Sequence, residues 1–146
     1  MSHSLNRIWI HAVWSTKNRF PFLTNQKQTI FSKLDELLKE QQCENIVING
    51  FEEHVHSLFL LNPNKNISEI IKNIKGSSSH WINQKELFKV KFAWQVGFAS
   101  FSVSESLVEK VSQYIKNQEL HHKKMSFSEE WNLLLKKHNL VIEENH

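Results

Sequence analysis

The fold is decided by residues 46–61, IVINGFEEHVHSLFLL, in which two apolar runs flank a short turn. The first run, Ile46 to Phe51, and the second, His54 to Leu61, have the length and residue types of β-strands. Because only the residues around Gly50 to Glu53 separate them, we predict that the two strands pair as an antiparallel hairpin.

Upstream of this hairpin, the sequence predicts one strand and one helix. Apolar residues alternate from Ile8 to Trp14, which is typical of a strand with one buried face. Thr24 follows Pro21 and has the residue type of an N-cap, so a helix is expected to begin there.

Downstream, a second helix is predicted from about Ser68, although the run Gly76 to Ser79 is unfavourable for one unbroken helix. Alternating apolar residues then predict a strand that runs from Phe92 to Phe98 and continues at Ala99, Phe101 and Val103. The alternation changes phase after Gly97, which indicates a bulge at that glycine.

Two more helices are predicted at the C-terminal end. The first begins at Ser104 or Ser106 and runs through Tyr114 to about Leu120. The second covers about 126–139, where Ser126 and Glu129 have the spacing of a capping box. The order β-α-β-β-α-β-α-α predicts an α+β protein with a ferredoxin-like antiparallel sheet packed by helices. We expect a single domain over residues 1–146, with the helix at about 126–139 as an extension.

The composition argues against a membrane-spanning protein and against a disulfide-stabilised one. The chain has 146 residues, and no apolar stretch approaches the roughly 20 residues that span a bilayer. Its one cysteine, Cys43, cannot form an internal disulfide, so we expect a cytoplasmic protein and not a disulfide-stabilised one. The net charge of +3 permits binding to phosphates without arguing for it.

His54-Val55-His56 is the first group of residues that could bind a ligand or take part in a reaction. Residues two apart on a strand point to the same face, so both imidazoles project together. Such a pair can bind one metal ion. The alternative is that two histidines simply lie on a strand face.

Tyr114 and Gln118 form the second constellation. They are one helical turn apart and lie along one edge of the apolar stripe that contains Val111 and Ile115. A glutamine carbonyl can complete a metal site begun by two histidines, and the tyrosine would then stand beside the ion. By itself, this pair is more typical of a packed tyrosine followed by a solvated glutamine.

These residues resemble the catalytic motifs of the single-tyrosine HUH transposases of small bacterial insertion sequences, in which a His-hydrophobic-His strand precedes a Tyr-x-x-x-Gln helix. The resemblance extends from about residue 5 to 140. Besides His54 to Phe59 and Tyr114 to Gln118, the segments that carry it are Ile10 to Arg19, Lys75 to Ser79, Trp94 to Phe98 and His121 to Phe127.

The resemblance implies a metal-assisted cleavage and rejoining of single-stranded DNA at hairpin-containing element ends. His54, His56 and Gln118 would bind Mg²⁺ or Mn²⁺, and Tyr114 would form a 5′-phosphotyrosine intermediate. It also implies a homodimer, often with the tyrosine of one chain at the histidines of the other, although some relatives act as monomers. No nucleotide cofactor is implied, and the three glycines form no phosphate-cradling loop.

Other positions have less defined roles. Glu53 stands where the family often has Asp, and it could orient a histidine or be solvated. Lys17, Arg19 and Lys75 are candidate DNA contacts, although most charged side chains are simply solvated. Three rival hypotheses remain: a domesticated relative that processes chromosomal repeats, a non-catalytic single-stranded or hairpin DNA-binding protein, and a metal-binding protein with unrelated chemistry.

Overall fold

The computed structural model describes residues 4–140, so the predicted domain of residues 1–146 extends outside the described residues at both ends. Short 3₁₀ turns at Lys17–Arg19 and Glu105–Leu107 accompany the main elements. These elements are β1 (Trp9–Ser15), α1 (Lys27–Glu40), β2 (Glu44–Gly50), β3 (His54–Leu60), α2 (Ile67–Gln84), β4 (Ala99–Val103), α3 (Val108–Lys116), α4 (Gln118–His121) and α5 (Phe127–Lys137). Within residues 4–140, the helices are too short or too polar to span a bilayer.

The four strands form one antiparallel sheet in the order β2-β3-β1-β4. This order, with helices after β1 and β3, confirms the predicted α+β, ferredoxin-like arrangement. Helices α1 and α2 pack on one face, where Ala12, Trp14 and Phe59 belong to the larger core cluster. The C-terminal helices pack on the opposite face, against residues such as Val13, Leu58 and Phe101.

The predicted hairpin is present, and a glycine makes it possible. Gly50 ends β2 and pairs with Val55 at the start of β3. A Cβ atom at Gly50 would lie 2.0 Å from the carbonyl oxygen of His54, so no other residue fits without displacing that backbone. The turn therefore fixes where β3 begins.

The predicted start of the first helix is wrong. Helix α1 begins at Lys27 after Gln26, and its first turn has no side-chain cap. Thr24 instead donates its hydroxyl to the carbonyl of Pro21, because the preceding residues form a turn that occupies this side chain.

Helix α2 is unbroken through Gly76, despite the unfavourable run of small residues. Asn66 caps it by accepting a hydrogen bond from the Glu69 amide. Ser78 is buried and accepts a hydrogen bond from the Trp94 indole, so a small residue on this face allows close packing.

The strand predicted from Phe92 to Val103 is confirmed over Ala99–Val103, which forms β4, and is wrong over the residues from Phe92 to Phe98. Only Trp94 forms a bridge, with Thr16, and Val96 is 94% exposed. Side chains of α2 take the backbone hydrogen bonds that a neighbouring strand would take: Asn83 pairs with both backbone groups of Phe92. Gly97 has a φ of 93° and the strand starts after it, so this glycine turns the chain into β4.

A single helix from Ser104 or Ser106 to Leu120 is also wrong. A 3₁₀ turn precedes α3, and α3 ends at Lys116. Asn49 of β2 causes this end, since its side-chain amide donates to the carbonyls of Ile115 and Lys116. Helix α4 then begins at Gln118, so Tyr114 and Gln118 lie on two consecutive helices.

Candidate active site

The two histidines of β3 lie side by side on the face covered by the C-terminal helices. Both are fully buried. The Nδ1 atom of His54 is 2.7 Å from Glu53 Oε1, and that of His56 is 2.8 Å from His11 Nε2 on β1. These hydrogen bonds orient both rings so that each Nε2 faces the same space, as partners of metal-binding histidines commonly do.

Gln118 and Tyr114 reach the same space from α4 and α3. The Oε1 atom of Gln118 is 2.9 Å from His54 Nε2, and the side chain of Gln118 is fully buried. The ring of Tyr114 lies 5.8 Å from that of His56, centroid to centroid. The structure therefore brings His54, His56, Tyr114 and Gln118 together within one chain.

Glu130 of α5 lies at the centre of this cluster, and sequence reasoning gave it no role. Its Oε1 is 3.1 Å from His56 Nε2 and 3.3 Å from His54 Nε2. Its Oε2 accepts hydrogen bonds from the Tyr114 hydroxyl and, at 2.8 Å, from the Gln118 amide. Glu130 is only 2% exposed.

His122 was also missed as a site residue, although its segment belongs to the family resemblance. It follows α4, and its ring stacks on Phe51, with centroids 5.4 Å apart. Its Nε2 lies 3.1 Å from Gln118 Oε1 and 3.0 Å from Glu130 Oε1. A third imidazole nitrogen therefore faces the space between the β3 histidines and α5.

One signal in the sequence could have revealed Glu130. Helix α5 buries Phe127 and Leu135 and half-buries Trp131, and Glu130 lies on the same side of the helix. A charged residue inside an apolar stripe is rarely solvated, since the stripe packs on the core. The capping-box pattern had drawn attention to the exposed Glu129 instead.

The buried cluster shifts the protonation of its members. Burial alone would raise the pKa of Glu130, but hydrogen bonds from His54 and His56 hold it well below its ordinary value, so the carboxylate is ionised. Burial lowers the pKa of His56 to about 4, although Glu130 acts in the opposite direction. Burial and the Glu130 carboxylate together raise the pKa of Tyr114 well above its ordinary value. Burial lowers the pKa of His54, but hydrogen bonds with Glu130, Glu53 and Gln118 raise it above its ordinary value, so the two histidines of β3 are shifted in opposite directions.

The donor set fits a divalent cation. Nitrogen and oxygen donors of His54, His122 and Glu130 all lie within 4.8 Å of one another. The Gln118 carbonyl adds a hard oxygen donor next to both histidines. His56 lies outside this group of three and contacts it through Glu130.

The three candidate DNA-contacting side chains differ in their surroundings. Lys17 is exposed on the 3₁₀ turn after β1. The Arg19 guanidinium lies 5.0 Å from the ring centroid of Phe127 and donates to the Ser128 hydroxyl. Lys75 is half-buried, and its ammonium donates to the carbonyls of Gln95 and Gly97, both at 2.7 Å. Lys75 therefore has a structural role in this chain.

A cavity of about 580 Å³ opens beside the site. Arg19 and Asn18 line it together with the aromatic side chains of Trp131 and Phe127. Phe127 also stacks on His54, with centroids 4.1 Å apart, so the cavity and the buried cluster share a wall.

Comparison with known proteins identifies the family. A family model described as "Transposase IS200 like" matches residues 4–118. The ISDra2 transposase TnpA of Deinococcus radiodurans is 24% identical over 117 residues, which cover 74% of this chain and 81% of that protein.

Two solved structures are similar in fold. A crystal structure assigned to a transposase of Deinococcus radiodurans R1 has a TM-score of 0.65 at 22% identity, covering 81% of this chain and 95% of that chain. A REP-associated tyrosine transposase bound to a REP hairpin has a TM-score of 0.60 at 19% identity, covering 84% of this chain and 74% of that one. Because the family model covers most of the chain, the protein belongs to the IS200-like transposase family.

Proposed function

We propose that this protein cleaves and rejoins single-stranded DNA, with Tyr114 as the nucleophile. The observation that carries the proposal is the convergence of Tyr114, His54, His56 and Gln118 in one buried cluster of a chain that belongs to a transposase family. The tyrosine oxygen bonds to a DNA phosphorus as the bond from phosphorus to the 3′ oxygen breaks. A 5′-phosphotyrosine and a free 3′-hydroxyl result.

The scheme accounts for the proton of the Tyr114 hydroxyl and for the departing 3′ oxygen. The Tyr114 hydroxyl already donates to Glu130, which orients its oxygen, and the proton that it gives up on attack passes to solvent because the pKa of Glu130 lies well below its ordinary value. The departing 3′ oxygen takes a proton from solvent. In the reverse direction, another 3′-hydroxyl attacks the phosphotyrosine, and the energy stored in the ester makes nucleotide hydrolysis unnecessary.

His54, His56 and Gln118 would hold Mg²⁺ or Mn²⁺, and a bound ion polarises the scissile phosphate and orients it for in-line attack. Residues of the chain hold these ligands in position. His11 and Glu53 fix the rings of the two histidines, and both rings are fully buried.

The proposed substrate is single-stranded DNA with hairpins at the ends of the element, acted on in the cytoplasm by a homodimer. A structural relative was solved with a REP hairpin, which supports a hairpin substrate. The cavity beside the site supports a track for unpaired DNA, since aromatic side chains stack on bases and Arg19 offers a positive charge. We propose Lys17, Arg19 and Lys75 as phosphate contacts.

A covalent adduct tests the proposal. We would incubate the full chain with single-stranded DNA of its own flanking sequence and Mg²⁺ or Mn²⁺, then separate the products on a denaturing gel. An adduct is expected that disappears with Tyr114→Phe and with a chelator. An adduct that survives Tyr114→Phe would refute the assignment of the nucleophile.

The histidines are tested by separating cleavage from DNA binding. His56→Ala should abolish cleavage while hairpin binding stays within about threefold of the unmodified protein, because a metal ligand acts on the reaction. The matched control is His80→Ala, at an exposed position of α2, which should cleave normally. Equal loss of binding and cleavage in His56→Ala would instead indicate a structural or DNA-contacting histidine.

A further inference from the structure

Imidazole nitrogens surround one oxygen of the Glu130 carboxylate. Three imidazole nitrogens, those of His54, His56 and His122, approach its Oε1 at 3.3, 3.1 and 3.0 Å. Two of these contacts, from His56 and His122, are hydrogen bonds to Oε1, whereas His54 Nε2 is hydrogen-bonded to Gln118 Oε1. Nitrogens of three separate histidines therefore converge on one carboxylate oxygen.

The separations match those between ligands of one cation. Adjacent ligands of an octahedral ion, each at about 2.1 Å, stand about 3.0 Å apart. Glu130 Oε1 lies at that separation from His122 Nε2, and Gln118 Oε1 lies 3.1 Å from the same nitrogen. His54 Nε2 lies 2.9 Å from Gln118 Oε1. These atoms thus have the spacing of a ligand set.

The second oxygen of Glu130 has different partners. Oε2 accepts hydrogen bonds from the Tyr114 hydroxyl and the Gln118 amide. One oxygen therefore faces the imidazoles, while the other fixes the tyrosine. A single carboxylate can in this way set the position of the nucleophile relative to the ion.

We propose that Glu130 and His122 are ligands of the divalent cation, and that Glu130 also positions Tyr114. Both residues lie beyond position 118, where the match to the family model ends. Helix α5 is then part of the active site and not an extension of the domain. This inference rests on the proposed function, because it concerns the same metal-dependent site.

The test measures Mn²⁺ binding to the full chain by isothermal titration calorimetry, without DNA and without turnover. Glu130→Gln keeps the size of the side chain and removes its charge. It should weaken Mn²⁺ binding at least tenfold, and His122→Asn should weaken it in the same direction. The matched control is Glu129→Gln, the exposed neighbour on the same helix, which should bind Mn²⁺ as the unmodified protein does. Circular dichroism in EDTA establishes that each variant is folded.

Each outcome decides the inference. Unchanged Mn²⁺ affinity in Glu130→Gln would overturn it, and so would tighter binding, which would mean that the carboxylate competes with the ion. If Glu130→Gln does not fold, the decision passes to His122→Asn alone. His54→Ala separates the two proposals: normal Mn²⁺ binding in that variant refutes the metal site of the proposed function. If Mn²⁺ binding is lost in His54→Ala but not in Glu130→Gln or His122→Asn, only the assignment of Glu130 and His122 as ligands is refuted.

Discussion

Gly50 determines, at the scale of single residues, where the first histidine of β3 is placed. We expect Gly50→Ala to lower the free energy of unfolding by roughly 2–4 kcal/mol, because its Cβ would overlap the backbone carbonyl of His54. Chemical denaturation measures this change. We also expect less covalent adduct from the folded fraction, since displacing that carbonyl moves the His54 ring.

Gly76 is the matched control for this substitution. It lies on an exposed side of α2, and a Cβ there would meet nothing within 4 Å. Gly76→Ala should therefore raise the free energy of unfolding by about 0.5–1 kcal/mol, because alanine loses less conformational freedom in a helix. A Gly50→Ala variant as stable as the original would contradict the role given to the turn.

Single residues also show how far the site could be predicted. His54 and His56 were predictable because strand periodicity places them on one face whatever surrounds them. Gln118 became a candidate through its spacing from Tyr114, although the helix between them is broken. Glu130 was not predictable from spacing, since its contacts depend on how α5 packs across the sheet.

Lys75 holds in place the segment at residues 92–98, which the sequence pattern wrongly predicted to be a strand. Its two hydrogen bonds hold the segment before β4, which has few backbone partners of its own. We expect Lys75→Met to lower the free energy of unfolding by about 1.5–3 kcal/mol, the range for hydrogen bonds to a charged group. Thermal or denaturant unfolding without DNA measures this effect.

The exposed Lys72, one turn earlier on α2, is the control for charge. Lys72→Met should leave the free energy of unfolding within about 0.5 kcal/mol of the original value. If Lys75→Met is equally stable but binds hairpin DNA less tightly, then Lys75 acts as a DNA contact and its structural role is wrong.

The strand at residues 92–98 and the single helix from Ser104 or Ser106 to Leu120 were mispredicted for the same physical reason. Alternating apolar residues indicated a strand at 92–98, and helical periodicity indicated one helix through Tyr114 and Gln118. In both places, a distant side chain takes the backbone hydrogen bonds: Asn83 in the first and Asn49 in the second. Local periodicity carries no information about such partners, whereas it predicted β2, β3 and α2 well.

At the scale of the whole molecule, the structure assembles the candidate site from one chain. Tyr114 on α3 and Glu130 on α5 meet the histidines of β3 in the same chain. The strand order was predictable from the order of elements, because few topologies satisfy it. The face on which the C-terminal helices pack was not predictable, since the sequence does not state which apolar surfaces meet.

Assembly from one chain predicts the result of a mixing experiment. Tyr114→Phe and His54→Ala should each abolish adduct formation, and a co-expressed mixture of the two should also be inactive. Every chain in the mixture lacks one of the two groups. Adduct assays on the purified mixture measure this. Recovery of activity toward one quarter to one half of the original level would show that the tyrosine acts on the partner's histidines.

The residue that becomes linked to DNA identifies the nucleophile. The adduct would be trapped, trimmed with nuclease, digested with trypsin and analysed by tandem mass spectrometry. We expect a nucleotide attached through its 5′-phosphate to Tyr114, within the peptide of residues 111–116. A nucleotide on any other residue, or a cleaved DNA product with no linked peptide, would contradict the account.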